Sequence, residues 1–171
     1  MTLKPANYKY RSTKGTSLTG GEGMGYVHAE IELTNSDDLA LKRRGWAYME
    51  VRSVTTRALV DSGAWDLVLN EEIAQQLQLP LVGKELVRLA DETLLEVDVV
   101  GPVQVRFEDR TTIVSRAVVM PTTSEVLLGA YPMEGLDVFI DPKRERLLVH
   151  PQTSDNPKLK IRQIRQVSLT L

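Results

Sequence analysis

Residues 57–70 read RALVDSGAWDLVLN. Two apolar runs, ALV at 58–60 and LVL at 67–69, have the make-up of strands buried on both faces. Between them stands Asp61, followed at once by Ser62 and Gly63. Aspartate is a poor strand residue, and a buried carboxylate without a partner is costly. Asp-Ser-Gly is also a common surface turn, in which the carboxylate only caps backbone N–H groups. The flanks tell against that ordinary turn. Both are of buried type, so the turn is set into the core layer rather than at a polar tip.

Strand and turn signals continue on both sides. YVHAEIELTN, from Tyr26, alternates, with Val27, Ala29, Ile31 and Leu33 on one face, and predicts a half-buried strand. WAYMEVRSV and TRALV predict two strands with a polar joint near Ser53. NEEIAQQLQLP changes period: Asn70 caps, Glu71 and Glu72 suit a first turn, Ile73, Ala74 and Leu77 share a face, and Pro80 ends the helix. LVRLADETLLEVDVV predicts two strands around a turn at Asp91 and Glu92. GPVQVRFEDRTTIVSRAVVMP predicts two more, around a turn at Glu108 to Arg110. EVLLGAYPMEGLDVFIDPKRERLLVHP predicts an apolar run into Gly129, a helical turn after Pro132, and strands at 137–140 and 147–150. Many short strands with one or two short helices give a mainly β class, a small closed or sandwiched barrel.

The 171 residues suit one domain with appendages. Residues 1–24 are polar, basic and glycine-rich and are expected to form a flexible arm. Their GGEGMG run lacks the strand and spacing of a nucleotide loop. The domain is expected over 25–151, and 152–171 as a polar, basic tail with Ile161, Ile164, Val167 and Leu169 along it. A net charge of −2 gives no field for nucleic acid or an anionic membrane. The chain has no cysteine, which excludes disulfides and thiolate metal sites. With no apolar leader or spanning run, a cytoplasmic protein is expected.

ALVDSGA, the hairpin pattern RLADETLLEVDVVGPVQVRF, and VLLGAYPMEGLDVFIDP follow one another at a spacing that resembles the retroviral-type (retropepsin-like) aspartic proteases, and more closely the small bacterial aspartyl protease-like proteins. The resemblance covers roughly residues 26–151. It implies the acid protease fold as a single lobe, a retropepsin-like closed β-barrel, and no cofactor or metal. It implies that Asp61 is the catalytic aspartate, and that the Ser62 hydroxyl locks two catalytic loops together across a dimer. Gly63 and Ala64 would let substrate backbone lie close, and Leu128 and Gly129 would back the site. Ala90 and Asp91 would form the flap tip, with Glu92 completing its turn. Trp65 departs from the pattern, because viral relatives carry an acid there that holds substrate backbone.

Peptide hydrolysis of this kind needs two carboxyls sharing one proton, since like charges about 3 Å apart cannot both ionise. Of the ten aspartates, only Asp61 is followed by a hydroxyl residue and glycine. The chain is too short for two such lobes, so the second Asp61 must come from a second copy on a two-fold axis. The expected partners are therefore another copy of the chain and a peptide or protein substrate. The alternative is a peptide-binding or dimerisation module that keeps the fold without proteolysis. Other constellations carry less. His28 and His150 lack triad partners. Asp37, Asp38, Glu108 and Asp109 read as solvated turn acids. KLKIRQIRQ is basic but has no interleaved aromatics.

Overall fold

The computed structural model describes residues 26–46, 50–88, 92–121 and 124–151. The expected arm at 1–24 and tail at 152–171 lie outside the described residues. The first half of the domain runs β1 (His28–Asn35), α1 (Ser36–Arg43), β2 (Ser53–Val60), β3 (Leu67–Asn70), α2 (Glu71–Gln76), β4 (Leu81–Arg88) and β5 (Leu94–Val100). The second half runs β6 (Val103–Phe107), β7 (Arg110–Val114), β8 (Ala117–Met120), β9 (Leu127–Leu128), α3 (Ala130–Leu136), β10 (Val138–Asp141) and β11 (Arg146–Val149). The chain is mainly β, with short helices.

Nine strands curl into a half-barrel in the order β4-β5-β8-β3-β9-β2-β1-β6-β7, and β10 and β11 pair separately. Most neighbouring strands in the sheet are antiparallel, and β4–β5 and β6–β7 are hairpins. Two pairings differ: β2 runs parallel to β9, and β3 parallel to β8. The short β9 also pairs with β3, antiparallel, at Val68 and Leu127. β9 is therefore inserted between two strands that are consecutive in sequence. That insertion explains why 58–60 and 67–69 are unbroken apolar runs: both strands are interior to the sheet.

The alternation of β1 delivers Ala29, Ile31 and Leu33 to the main core, where they meet Leu67, Leu69, Leu77, Val103, Val105 and Leu128. Val68 points to the other face of β3. There it joins Val87, Val97 and Val118 in a smaller cluster beneath the β4–β5 hairpin. A single three-residue run thus ties the hairpin to the body of the domain. α2 forms where its pattern predicts, with Asn70 Oδ1 accepting from Ile73 N at 2.9 Å.

Three local readings change. α1 has no apolar stripe; the residues it buries are Ser36 and Asp38. It is held by Asn35, whose Oδ1 accepts from the Asp37 and Asp38 amides and whose Nδ2 donates to Leu77 O at 2.9 Å. Asp38 is not a solvated turn acid. It is 1 % exposed and accepts from Arg52 through Nε at 2.6 Å, through the backbone N at 3.1 Å and through Nη2. Asp37, Glu108 and Asp109 are exposed. The joint expected near Ser53 is instead where β2 begins, and residues 50–52 lie outside any strand. Finally, the stretch 101–121 holds three strands, because β8 leaves the β6–β7 hairpin to pair with β3 and β5.

The Arg52 guanidinium hydrogen-bonded to Asp38 holds that carboxyl below the usual carboxylate value of 3.8. A carboxyl depressed in the folded state stabilises the fold above its unfolded value. That contribution is lost as pH falls through the lowered folded value. Asp38→Asn is expected to cost about 2 kcal/mol at neutral pH through lost charged hydrogen bonds. It should also flatten the loss of stability below pH 4, as urea midpoints measured from about pH 7 to 2 will register.

Candidate active site

β2 ends at Val60, and the chain must then reach β3 on the far side of β9. Residues 61–66 make that crossing. Asp61 is fixed at its start, where its amide donates to Leu128 O at 3.1 Å, continuing the parallel ladder begun by Leu59 N to Val126 O at 2.8 Å. The Asp61 carboxylate turns back on its own loop: Gly63 N donates to Oδ1 at 2.8 Å, and Ala64 N donates to the Asp61 carbonyl at 3.2 Å. The acid at the strand end is thus half-buried, with one oxygen held by a backbone N–H.

The crossing passes directly over Gly129. A Cβ built there would lie 2.2 Å from Asp66 O and 2.7 Å from Trp65 O, inside any real contact distance. Glycine is required here by close approach of two backbones. Immediately afterwards α3 begins, with no side-chain cap. Its first amides find partners in the crossing loop instead: Ala130 N donates to Ala64 O at 2.8 Å and Tyr131 N to Trp65 O at 3.0 Å. Pro132 is tolerated because it stands in the first turn. The Asp61 loop and the 128–131 segment are one hydrogen-bonded unit.

The expected site residues divide cleanly. Asp61, Gly63, Ala64, Trp65, Leu128 and Gly129 come together in this unit. Ser62 and Gly63 are exposed, while Ala64, Leu128 and Gly129 are buried. Ala90 and Asp91 lie outside the described residues. Glu92 closes the β4–β5 hairpin in a left-handed conformation, φ +68°, and pairs with Arg88 at 2.7 Å rather than with the Asp61 loop. Residues 89–93 contain no glycine, and among the described residues of this turn Glu92 carries the positive φ.

Trp65 is 51 % exposed and its ring lies 6.0 Å from that of Tyr131, tilted by 31°. Trp65, on the crossing loop, and Tyr131, in the first turn of α3, thus form an aromatic pair across the hydrogen-bonded unit that holds Asp61. Tyr131 escaped the sequence reading because nothing in 129–132 signals that the crossing loop lies above it. Asp66 also escaped it. This acid is 7 % exposed, and burial pushes its carboxyl above the usual range; Arg116 opposes the shift and Glu85 adds to it. The Arg116 hydrogen bond holds Glu85 below its own usual range. Among the described residues, no three acidic or histidine side chains converge as a metal site. No helix among them is long and apolar enough to cross a membrane.

Residues 47–131, about half of the chain, match the family described as aspartyl protease. They belong to that family. The match is to a retropepsin-like bacterial group, and it supports a hydrolase of the protease class. No curated protein matches the chain in sequence. The aspartyl protease match opens before β2 and closes at Tyr131, so it spans Asp61, the hairpin and the Gly129 crossing.

Proposed function

We propose that the protein is an aspartic endopeptidase active as a homodimer, in which the Asp61 carboxyls of two copies share one proton. One observation carries this. The chain presents a single Asp-Ser-Gly loop, with Asp61 Oδ1 held by Gly63 N–H, and among the described residues no second acid pairs with it. The arrangement is half of a dyad.

In the dimer the ionised carboxylate takes a proton from a water, whose oxygen attacks the scissile carbonyl carbon. The protonated carboxyl gives its proton to the carbonyl oxygen, forming a tetrahedral diol. Collapse returns one hydroxyl proton to a carboxylate and passes another proton to the leaving nitrogen as the C–N bond breaks. The pair titrates as a unit, so neither proton belongs to one residue. Ser62, exposed at the tip of the loop, is placed to grip the second copy. Gly63 and Ala64 leave room for substrate backbone, and the β4–β5 hairpin acts as the flap. The exposed Trp65 and Tyr131 rings favour a peptide with a large apolar side chain near the cleaved bond. A second copy and a peptide or protein substrate are the partners, in the cytoplasm, without nucleic acid or membrane.

Sedimentation tests this directly. Peptide cleavage at mildly acidic pH is expected only in fractions that sediment as dimer, and to fall off on dilution through the dimer dissociation range. A monomeric fraction that cleaves at the same rate would overturn it.

A further inference from the structure

Arg116 lies in the link between β7 and β8 and holds two acids from distant elements. Its Nη1 donates to Glu85 Oε1 at 2.6 Å and its Nη2 to Glu85 Oε2 at 2.7 Å, a two-point fork. Nη2 also reaches Asp66 Oδ2 at 3.3 Å. Glu85 stands on β4, opposite Val97, on the strand that leads into the hairpin turn. Asp66 ends the crossing loop, and its carbonyl is the group that leaves no room for a Cβ at Gly129. Arg116 is itself held from behind. Gly101, at φ +153°, has no space for a Cβ, which would meet Ser115 O at 2.4 Å and Arg116 Cα at 3.2 Å.

Three elements therefore converge on one guanidinium: the hairpin, the Asp61 loop and the β7–β8 link. The smaller apolar cluster of Val68, Val87, Val97 and Val118 also joins hairpin to body, but apolar contacts tolerate sliding. A planar fork does not, because both of its hydrogen bonds are satisfied in one geometry only.

We propose that Arg116 is a positioning residue that locks the β4–β5 hairpin in register with the Asp61 loop, through Glu85 and Asp66, and so sets the hairpin's placement over bound peptide. Its link to substrate rests on the peptidase reading of Asp61. Lysine keeps the charge but cannot make the fork, so Arg116→Lys separates geometry from electrostatics. Arg116→Met and Glu85→Gln probe the same contacts from both ends.

The test compares these variants with the wild type, as full-length dimers, by amide hydrogen exchange of residues 84–88 and by peptide cleavage. In Arg116→Lys, hairpin exchange is expected to quicken by about tenfold, and KM to rise by about tenfold with kcat within about threefold. Glu85→Gln should move both in the same direction, by less. Hairpin exchange at the wild-type rate in every variant would overturn the proposal. So would a fall in melting temperature with kcat and KM unchanged in the protein that remains folded. A wild type that cleaves nothing would defeat the peptidase reading; hairpin exchange would still decide whether the lock exists.

Discussion

Replacing Asp61 by asparagine is expected to lower kcat/KM for peptide cleavage by about a thousandfold or more, since general acid–base catalysis contributes about 10²–10⁴ and both copies lose it together. The substitution is nearly isosteric. The Gly63 N–H still has an oxygen to donate to, and the Asp61 amide still bonds Leu128 O, so the loop and the dimer should persist. What is lost is the ability to exchange a proton. An amide can neither take one from water nor hand one to the leaving nitrogen. Cleavage of a mixed peptide library at mildly acidic pH, read beside the sedimentation profile, checks the outcome. Wild-type rates in Asp61→Asn would show that the carboxylate is only a turn residue.

The second large effect is structural. Gly129→Ala is expected to destabilise the fold by about 3 kcal/mol, the upper part of the usual cost of overpacking. For a chain of this length that lowers the melting temperature by about 6–12 °C. The cost is high because the new methyl meets the carbonyl oxygens of Trp65 and Asp66, which are backbone and cannot swing aside. Relief requires lifting the 61–66 crossing away from β9. That would break the bonds from Ala130 N and Tyr131 N and displace Asp61, so activity should fall with stability. Urea titration measures the first and cleavage of a fixed peptide the second. An unchanged urea midpoint would mean that the crossing does not run over Gly129 as described.

The sequence made local structure legible wherever periodicity and caps agree. The alternation at 26–35, the Asn70 cap with Ile73 and Leu77, and the turn at Glu108 to Arg110 each match the structure. It hid what distant residues decide. α1 was invisible because its buried side chains are Ser36 and Asp38, and the partner that stabilises Asp38 is Arg52, fourteen positions on. Nor could 58–60 and 67–69, read alone, reveal that β9 lies between them. Asp61, Ser62 and Gly63 stood out as a motif, and Leu128 and Gly129 as the run that completes it. Arg116 gave no signal, because an arginine before an apolar strand is ordinary until Glu85 and Asp66 are brought to it.

The central claim is that one working site needs an Asp61 from each of two copies. It is tested most directly by mixing wild-type protein with growing amounts of Asp61→Asn, after dissociation and reassociation, and measuring cleavage per wild-type chain. If every site is shared, mixed dimers are inactive. Activity per wild-type chain then falls to about half at equal amounts and to about a tenth at a ninefold excess of variant, by random assortment. If activity per wild-type chain stays constant across the series while mixed dimers form, each chain carries its own complete site and the shared dyad is wrong.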